Sequence, residues 1–129
     1  MEAEQVREPA FEAESQAYSL FQRGMRLLEV GHPGQAAMLL AAALRLEPGK
    51  NSIREGLARA EFGLGRYRQA VEHLEAILTS APDHDYARYC LGRCLLALRE
   101  REKARAQLRL ACAFKPQSAL YRKALDDAR

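Results

Sequence analysis

The side chains that most often ligate metals are few in this chain and widely spaced. The three histidines are His32, His73 and His84, which fall in a predicted loop, an outer helix and a turn. No two of them have the spacing that places metal ligands on one face of a helix. The sequence therefore predicts no metal site.

Thiol chemistry is also weakly indicated. The chain has three cysteines, Cys90, Cys94 and Cys112, and no Cys-x-x-Cys motif. Cys90 and Cys94 are four residues apart in a predicted helix, where small thiols commonly pack as apolar side chains. Three cysteines cannot all pair within one chain, which favours a reducing compartment. We expect a cytoplasmic protein.

No catalytic motif accompanies these residues. The chain lacks a glycine-rich phosphate loop and a Gly-x-Ser-x-Gly turn. Asp83, His84 and Asp85 form a polar cluster, but acids at a turn before a helix also serve as caps and interact with the helix dipole. We therefore expect no enzymatic activity and no cofactor.

Composition narrows the fold to one all-helical domain. At 129 residues the chain suits a single domain. Valine, isoleucine and threonine together supply only Val6, Val30, Val71, Ile53, Ile77 and Thr79. Because these residues favour strands, their scarcity predicts an all-α protein.

Charge does not favour a nucleic acid or a membrane as the partner. The net charge is +3, but acids and bases alternate, as in the mixed run at residues 99–103. A nucleic-acid surface would gather its cations on one face. The first four residues, Met1 to Glu4, are polar and acidic, unlike a secretory signal, and no apolar run reaches membrane-spanning length.

Four sets of residues repeat at an interval of 34. One set consists of prolines, one of alanines, one of leucines and one of very small residues: Pro48, Pro82 and Pro116; Ala36, Ala70 and Ala104; Leu40, Leu74 and Leu108; Gly24, Ala58 and Gly92. Several residue classes with one period indicate copies of a single supersecondary unit. Small residues at fixed positions predict sites where two helices cross closely.

Each period contains two amphipathic helical segments and a break between them. The breaks fall at residues 31–34, at residues 63–65 and between Leu98 and Glu102. The third break has no glycine or proline and is placed only by the period. Each proline forbids continuation of the second helix and ends the unit.

These motifs resemble the tetratricopeptide repeat family, whose pattern is Trp-x-x-Leu-Gly-x-x-Tyr, then Ala-x-x-x-Phe, then Pro over 34 residues. Here the second part appears as Ala-x-x-x-Leu in all three copies, each closed by its proline, and the first part as Gly24-x-x-Leu27, Leu57-Ala58 and Leu91-Gly92-x-x-Leu95. The chain departs from the pattern at five positions: Leu20, Arg54 and Arg88 stand for the Trp, Arg23 for the first Leu, and Glu61 for the Tyr.

The resemblance implies a right-handed α-solenoid of three helix-turn-helix repeats, at residues 15–48, 49–82 and 83–116. Because terminal repeats need covers, we expect residues 117–129 to form a capping helix. Residues 1–14 are predicted to be a partly helical extension, in which Pro9 suits a first helical turn. This helix either continues into the first repeat, leaving Met1 to Glu8 frayed, or stays separate. A further alternative is that the amino-terminal segment folds over the groove and covers it with Val6 and Phe11.

In this family the first helix of each pair lines the concave side, where partners bind. Carried over by position, the predicted partner-binding residues are mostly aromatic or apolar, with two arginines and one acid: Tyr18, Phe21, Met25, Leu28, Glu55, Arg59, Phe62, Tyr86, Tyr89, Arg93 and Leu96. A large exposed apolar patch marks an interaction site. We expect an adaptor or chaperone-like module that binds an apolar or aromatic peptide or helix of another protein.

Two alternatives stay open. The same apolar face could support self-association, which would make the protein a homo-oligomer, such as a homodimer. A helical-repeat nucleic-acid binder would show affinity that falls steeply with salt. Capture of chaperone tails by a clamp of Lys, Asn, Asn, Lys and Arg is not expected, because the matching positions are Phe21, Met25, Gly56, Tyr86 and Cys90.

Overall fold

The structure is a computed structural model that describes residues 9–129. Within this range it contains seven helices and no strand, which confirms the all-α prediction. The helices are α1 (Pro9–Glu29), α2 (Pro33–Leu46), α3 (Asn51–Gly63), α4 (Tyr67–Ser80), α5 (Asp85–Ala97), α6 (Arg101–Phe114) and α7 (Ala119–Asp127). The expectations for Met1 to Glu8 and for Val6 lie outside the described residues.

The helices follow one another as a helical solenoid. Each helix packs against the next one in the chain, and α1, α3, α5 and α7 also contact each other in that order. The odd-numbered helices therefore form one layer and α2, α4 and α6 the other. Helix α1 runs without a break from Pro9 to Glu29, so the residues before position 15 that the structure describes continue directly into the first repeat's helix. The repeat boundaries given above stay predictions.

The turn inside each repeat is the same Schellman motif. An N–H group three residues beyond the last helical residue donates to a carbonyl five residues earlier, at 2.8 Å each time, in the pairs His32 to Leu27, Arg66 to Glu61 and Glu100 to Leu95. The residue directly before each donor has a positive φ: Gly31 at 89°, Gly65 at 77° and Arg99 at 64°. The third break thus lies inside its predicted window, with an arginine in a conformation that favours glycine.

The prolines lie in the turns between repeats. Helices α2, α4 and α6 end two residues before Pro48, Pro82 and Pro116. In each turn an N–H group donates to the carbonyl three residues earlier, from Lys50 to Glu47, from His84 to Ala81 and from Ser118 to Lys115. Because proline cannot continue the helix, the chain reverses here and the next repeat begins.

The small residues lie at close helix crossings, as predicted. A Cβ atom on Gly24 would lie 2.8 Å from Leu40 Cγ, and one on Gly92 would lie 2.6 Å from Leu108 Cγ. The leucines of this set are fully buried. Glycine therefore lets the first helix of a repeat approach the leucine of the second.

Helix α7 covers the third repeat. Its Tyr121 is buried in a cluster with Tyr89, Leu108 and Ala111, and its hydroxyl donates to Asp85 Oδ2 at 2.6 Å. Two arginines of α6 also hold the end of α7, since Arg101 and Arg105 donate to the carbonyl of Ala128. None of the described helices has both the length and the apolarity needed to cross a bilayer.

Candidate functional site: the concave groove

We define the concave groove as the surface formed by α1, α3 and α5. One depression in this groove, the central pocket, has a volume of about 260 Å³ and is lined by side chains from all three helices. Leu28 comes from the end of α1, Arg59 and Phe62 from α3, and Tyr86 and Arg93 from α5. Five of the eleven residues that the sequence predicted for the groove are therefore brought together here.

Phe62 and Arg93 form one wall of the central pocket. The guanidinium carbon of Arg93 lies 4.5 Å from the Phe62 ring centroid, which is a cation–π contact between α5 and α3. On its other side Phe62 meets Tyr67 edge to face, with the ring centroids 5.2 Å apart. In the lining of the pocket a cation therefore lies over the face of an aromatic ring.

The floor of the pocket is apolar, and its thiols are uncharged and unreactive at neutral pH. It includes Ala58, Leu74, Cys90 and Cys94. Burial raises the pKa of the Cys90 thiol to about 12 and that of Cys94 to about 11. Burial likewise raises the pKa of the Tyr86 phenol to about 12. At neutral pH these groups carry no charge, so they are suited to contact an apolar ligand and not to act as nucleophiles.

Two of the other predicted residues belong to a separate depression. Tyr18 and Phe21 line an amino-terminal pocket of about 380 Å³ together with Ser52, Ile53 and the turn that carries Lys50. Tyr18 is 62% exposed, and its hydroxyl accepts a hydrogen bond from Gln22 at 2.9 Å. The predicted binding surface is thus divided into two parts along the groove.

Met25 is half-buried over Gly56 in the same layer. A Cβ atom on Gly56 would lie 2.7 Å from Met25 Sδ, so the glycine makes room for the thioether. Met25, which stands where the tail-binding clamp has an asparagine, therefore serves apolar packing in this chain.

Tyr89 is the clearest departure from the predicted surface. The sequence placed it in the groove, but it is only 7% exposed. Its ring stacks on Tyr121 of α7, with centroids 5.2 Å apart and planes inclined by 27°. Leu96 packs against the same cluster. Helix α7 supplies the apolar surface, including Tyr121, against which Tyr89 and Leu96 pack.

Glu55 contacts a histidine of the turn before α5. Its Oε2 lies 3.5 Å from His84 Nε2. The other nitrogen of this ring, Nδ1, accepts the N–H of Ala87 and caps α5, so in the neutral ring the proton lies on Nε2, facing Glu55. Among residues 9–129, no group of three His, Cys, Asp or Glu side chains is arranged to hold a metal ion.

Sequence reasoning missed some residues of the pocket. Ala58, Leu74 and Cys94 had been assigned to helix packing only, and Cys90 had been placed on the inner face without a role. The interval of 34 identifies which residues pack between helices, but gives no sign of which packed residues also border an opening. Ala58, Leu74 and Cys94 stay buried behind the lining of the pocket, and only Cys90 is partly exposed there.

Comparison with known proteins agrees with this architecture. The tetratricopeptide repeat family profile matches residues 21–67 and 55–119. The chain belongs to the tetratricopeptide repeat family, as its motifs predict.

A mouse protein, FK506-binding protein-like, is 30% identical over 117 residues, which is 84% of this chain and 34% of the mouse protein. The human FK506-binding protein-like is 31% identical over 104 residues, covering 74% of this chain and 30% of that protein. The chain thus spans about a third of the length of these curated relatives.

Solved structures share the fold at low sequence identity. The Arabidopsis OM64 TPR domain has a TM-score of 0.87 at 17% identity, covering 91% of this chain and 97% of that one. The first TPR of Spaghetti (RPAP3), bound to the HSP90 peptide SRMEEVD, has a TM-score of 0.84 at 16% identity, with coverage of 89% and 91%. These likenesses confirm a helical solenoid of the tetratricopeptide type.

Proposed function

We propose that this chain is a non-enzymatic protein–protein interaction module, of the adaptor or chaperone-like kind, that binds an apolar or aromatic segment of a partner in its concave groove. The observation that supports this most directly is the central pocket. It combines an apolar floor with the Phe62 and Tyr86 rings and with two arginines, Arg59 and Arg93. Tyrosine and arginine are residue types that are enriched where proteins bind each other.

The pocket suits one inserted apolar side chain with a polar backbone or carboxylate beside it. Its volume of about 260 Å³ is at the small end for a binding site, so it accommodates a single side chain of a longer segment. The cations at the mouth would then contact carbonyl or carboxylate oxygens that flank this side chain. A peptide or helix meets both requirements.

Structural neighbours make a short peptide a reasonable ligand class. In two of them RPAP3 TPR domains are bound to peptides, SRMEEVD of HSP90 and SGPTIEEVD of HSP70. The clamp positions of this chain carry no cation or amide at Phe21, Met25, Gly56, Tyr86 or Cys90. We therefore propose that the groove selects apolar or aromatic segments and does not capture a chain-terminal carboxylate by that clamp.

The three cysteines fit a reducing, cytoplasmic setting, as proposed from their number. All three are free thiols, and Cys94 is buried.

The proposal is tested by comparing partner capture by the wild type with capture by Tyr86→Ala and Arg59→Ala. Phe114→Ala is a matched control, because this aromatic ring is 47% exposed on α6, away from the groove. We expect proteins retained by the wild type and by Phe114→Ala to be lost with both groove variants, while circular dichroism shows unchanged helicity. Equal retention by Tyr86→Ala would contradict the proposal.

The alternative function of the concave groove is self-association, in which it binds a second copy of this chain. Sedimentation equilibrium of the purified chain distinguishes the two, since groove-mediated oligomers would dissociate in Tyr86→Ala. A monomer at all concentrations excludes the oligomer and leaves partner binding.

A further inference from the structure

A second surface, on the other layer of helices, differs sharply between the repeats. Successive repeats leave a groove between their second helices, one between α2 and α4 and one between α4 and α6. Most lining residues of the two grooves correspond at the interval of 34, so the second groove serves as an internal reference for the first. The first has a volume of about 960 Å³ and the second about 430 Å³.

Charged residues fill the α4–α6 groove. Arg68 Nη1 lies 3.2 Å from Glu100 Oε2, and Lys103 Nζ lies 3.2 Å from Glu100 Oε1. Glu72 and Glu75 also line this groove. Two cations of the chain thus pair with Glu100, as is usual for an ordinary protein surface.

The α2–α4 groove has apolar residues at the corresponding positions. Met38 and Ala41 replace Glu72 and Glu75, and Gly34 replaces Arg68. Met38 is 73% exposed and lies beside Ala37, Leu44 and Leu57 in the lining. An exposed methionine in an apolar groove is typical of surfaces that other polypeptides cover.

Two charged residues of this groove, Glu61 and Arg45, are incompletely paired within the described part of the chain. Glu61 is only 8% exposed, and its Oε1 accepts no hydrogen bond from residues 9–129. His73 Nε2 lies 3.6 Å away, and burial lowers the pKa of this imidazole. Arg45 and Arg66 are exposed and line this groove. Arg66 acts on the Glu61 carboxyl through its charge, whereas Arg45 forms no ion pair with a described carboxylate.

These observations indicate the chemistry of the occupant. Apolar side chains would cover Met38 and its neighbours, and carboxylates would neutralise Arg45. A hydrocarbon surface alone would leave Glu61 without a donor, whereas a polypeptide supplies N–H and side-chain donors. We propose that the α2–α4 groove binds an amphipathic segment of a partner protein in which apolar residues are flanked by carboxylates. This site uses other helices than the central pocket and does not depend on the function proposed for it.

The chain itself provides substitutions to test the site. Met38→Glu and Arg45→Thr copy Glu72 and Thr79, the residues at the corresponding positions of the second repeat. Because these counterparts are exposed on the same face of a helix in the same fold, both variants are expected to keep the thermal unfolding midpoint close to that of the wild type.

The probe is a short fluorescein-labelled helical peptide with leucines along one face and glutamates on both sides of it, followed by fluorescence anisotropy. The control peptide carries lysines in place of the glutamates. We expect the acidic peptide to bind the wild type and Arg59→Ala equally, and Met38→Glu and Arg45→Thr each about tenfold or more weakly. We expect the lysine peptide to bind much more weakly than the acidic one.

Four results would overturn the proposal: no binding of the acidic peptide, equal binding of the lysine peptide, unchanged affinity in Met38→Glu, or loss of binding in Arg59→Ala. The last would assign the peptide to the central pocket. Self-association that Met38→Glu abolishes would likewise overturn it, because the occupant would then be a second copy of this chain.

Discussion

The guanidinium carbon of Arg93 lies 4.5 Å from the centroid of the Phe62 ring, so a cation of α5 covers an aromatic side chain of α3. This contact joins the first helices of the second and third repeats at the edge of the central pocket. Arg93 also lies 5.8 Å from the Tyr89 ring. One arginine thus connects the wall of the groove with the buried cluster under α7.

We expect Arg93 and Phe62 to be energetically coupled. A double-mutant cycle with Arg93→Ala and Phe62→Leu, measured by urea unfolding, should give a coupling energy of about 0.5–1 kcal/mol, the usual value for an exposed cation–π contact. Phe62→Leu keeps an apolar side chain in place, so the cycle removes the ring and not the packing as a whole. Strictly additive losses would show that the contact contributes nothing.

Arg99 is expected to be a destabilised position. Its φ of 64° is costly for a residue with a Cβ atom, whereas Gly31 and Gly65 fill the corresponding places. Arg99→Gly should therefore raise the free energy of unfolding by about 0.5–1 kcal/mol, even though glycine is more flexible in the unfolded chain.

The reverse substitution is the matched control for Arg99. Gly65→Arg places a side chain at a φ of 77° in the second repeat, and we expect it to lower the stability by a similar amount. If urea unfolding shows both variants to be less stable than the wild type, backbone strain at residue 99 does not lower the stability of the wild type.

Glu61 is expected to lower the stability of the wild type above pH 7. Burial, the largest cause, raises the pKa of its carboxyl to about 7, against the favourable charge of Arg66. Between pH 4.5 and about 7 the unfolded chain has this group ionised while the folded chain holds a proton on it. Glu61 therefore makes the folded state progressively less stable as the pH rises through this window.

Glu61→Leu should remove this effect, since leucine occupies the corresponding position 95. We expect a gain of about 1–3 kcal/mol at about pH 8 and a much smaller gain at about pH 4. His73 acts in the opposite direction, because burial lowers its pKa and acid then favours the unfolded chain. A gain that is the same at both pH values would contradict the raised pKa of the Glu61 carboxyl.

Gly92→Ala is expected to be costly. The new Cβ would lie 2.6 Å from Leu108 Cγ and 2.7 Å from its Cδ2, and the buried leucine has little room to move. Thermal or urea unfolding should show a loss of about 1–3 kcal/mol. Gly49→Ala is the control, because nothing lies within 4 Å of its Cβ position; equal losses in both would point to a general effect of glycine replacement.

Much of the fold follows from the sequence because the repeat is a local unit. The conserved interval among small residues, leucines and prolines predicted helix crossings and turns, and Gly24, Leu40 and Pro48 take up these positions in the structure. The turn near Arg99 was located only by the interval, since no glycine or proline marks it. That an arginine adopts a positive φ there has no signature in the sequence.

The candidate site was predictable only in outline. Helical periodicity placed Phe62, Tyr86 and Arg93 on the inner helices, and the structure places them around one pocket. Their role in binding stays a prediction. Tyr89 followed the same periodicity and is nevertheless buried, because Tyr121, more than thirty residues later, covers it.

The sequence by itself determined the repeat, its period and the helix that each residue belongs to, because these depend on the turn chemistry and packing of residues less than 34 positions apart. Only the tertiary structure decided which side chains remain open. It joined Leu28 to Arg93 in one pocket and separated Tyr18 from it. It also left Met38 exposed where Glu72 has charged neighbours. The physical reason is that exposure depends on how neighbouring repeats and the capping helix meet, and these contacts join residues that no local pattern links.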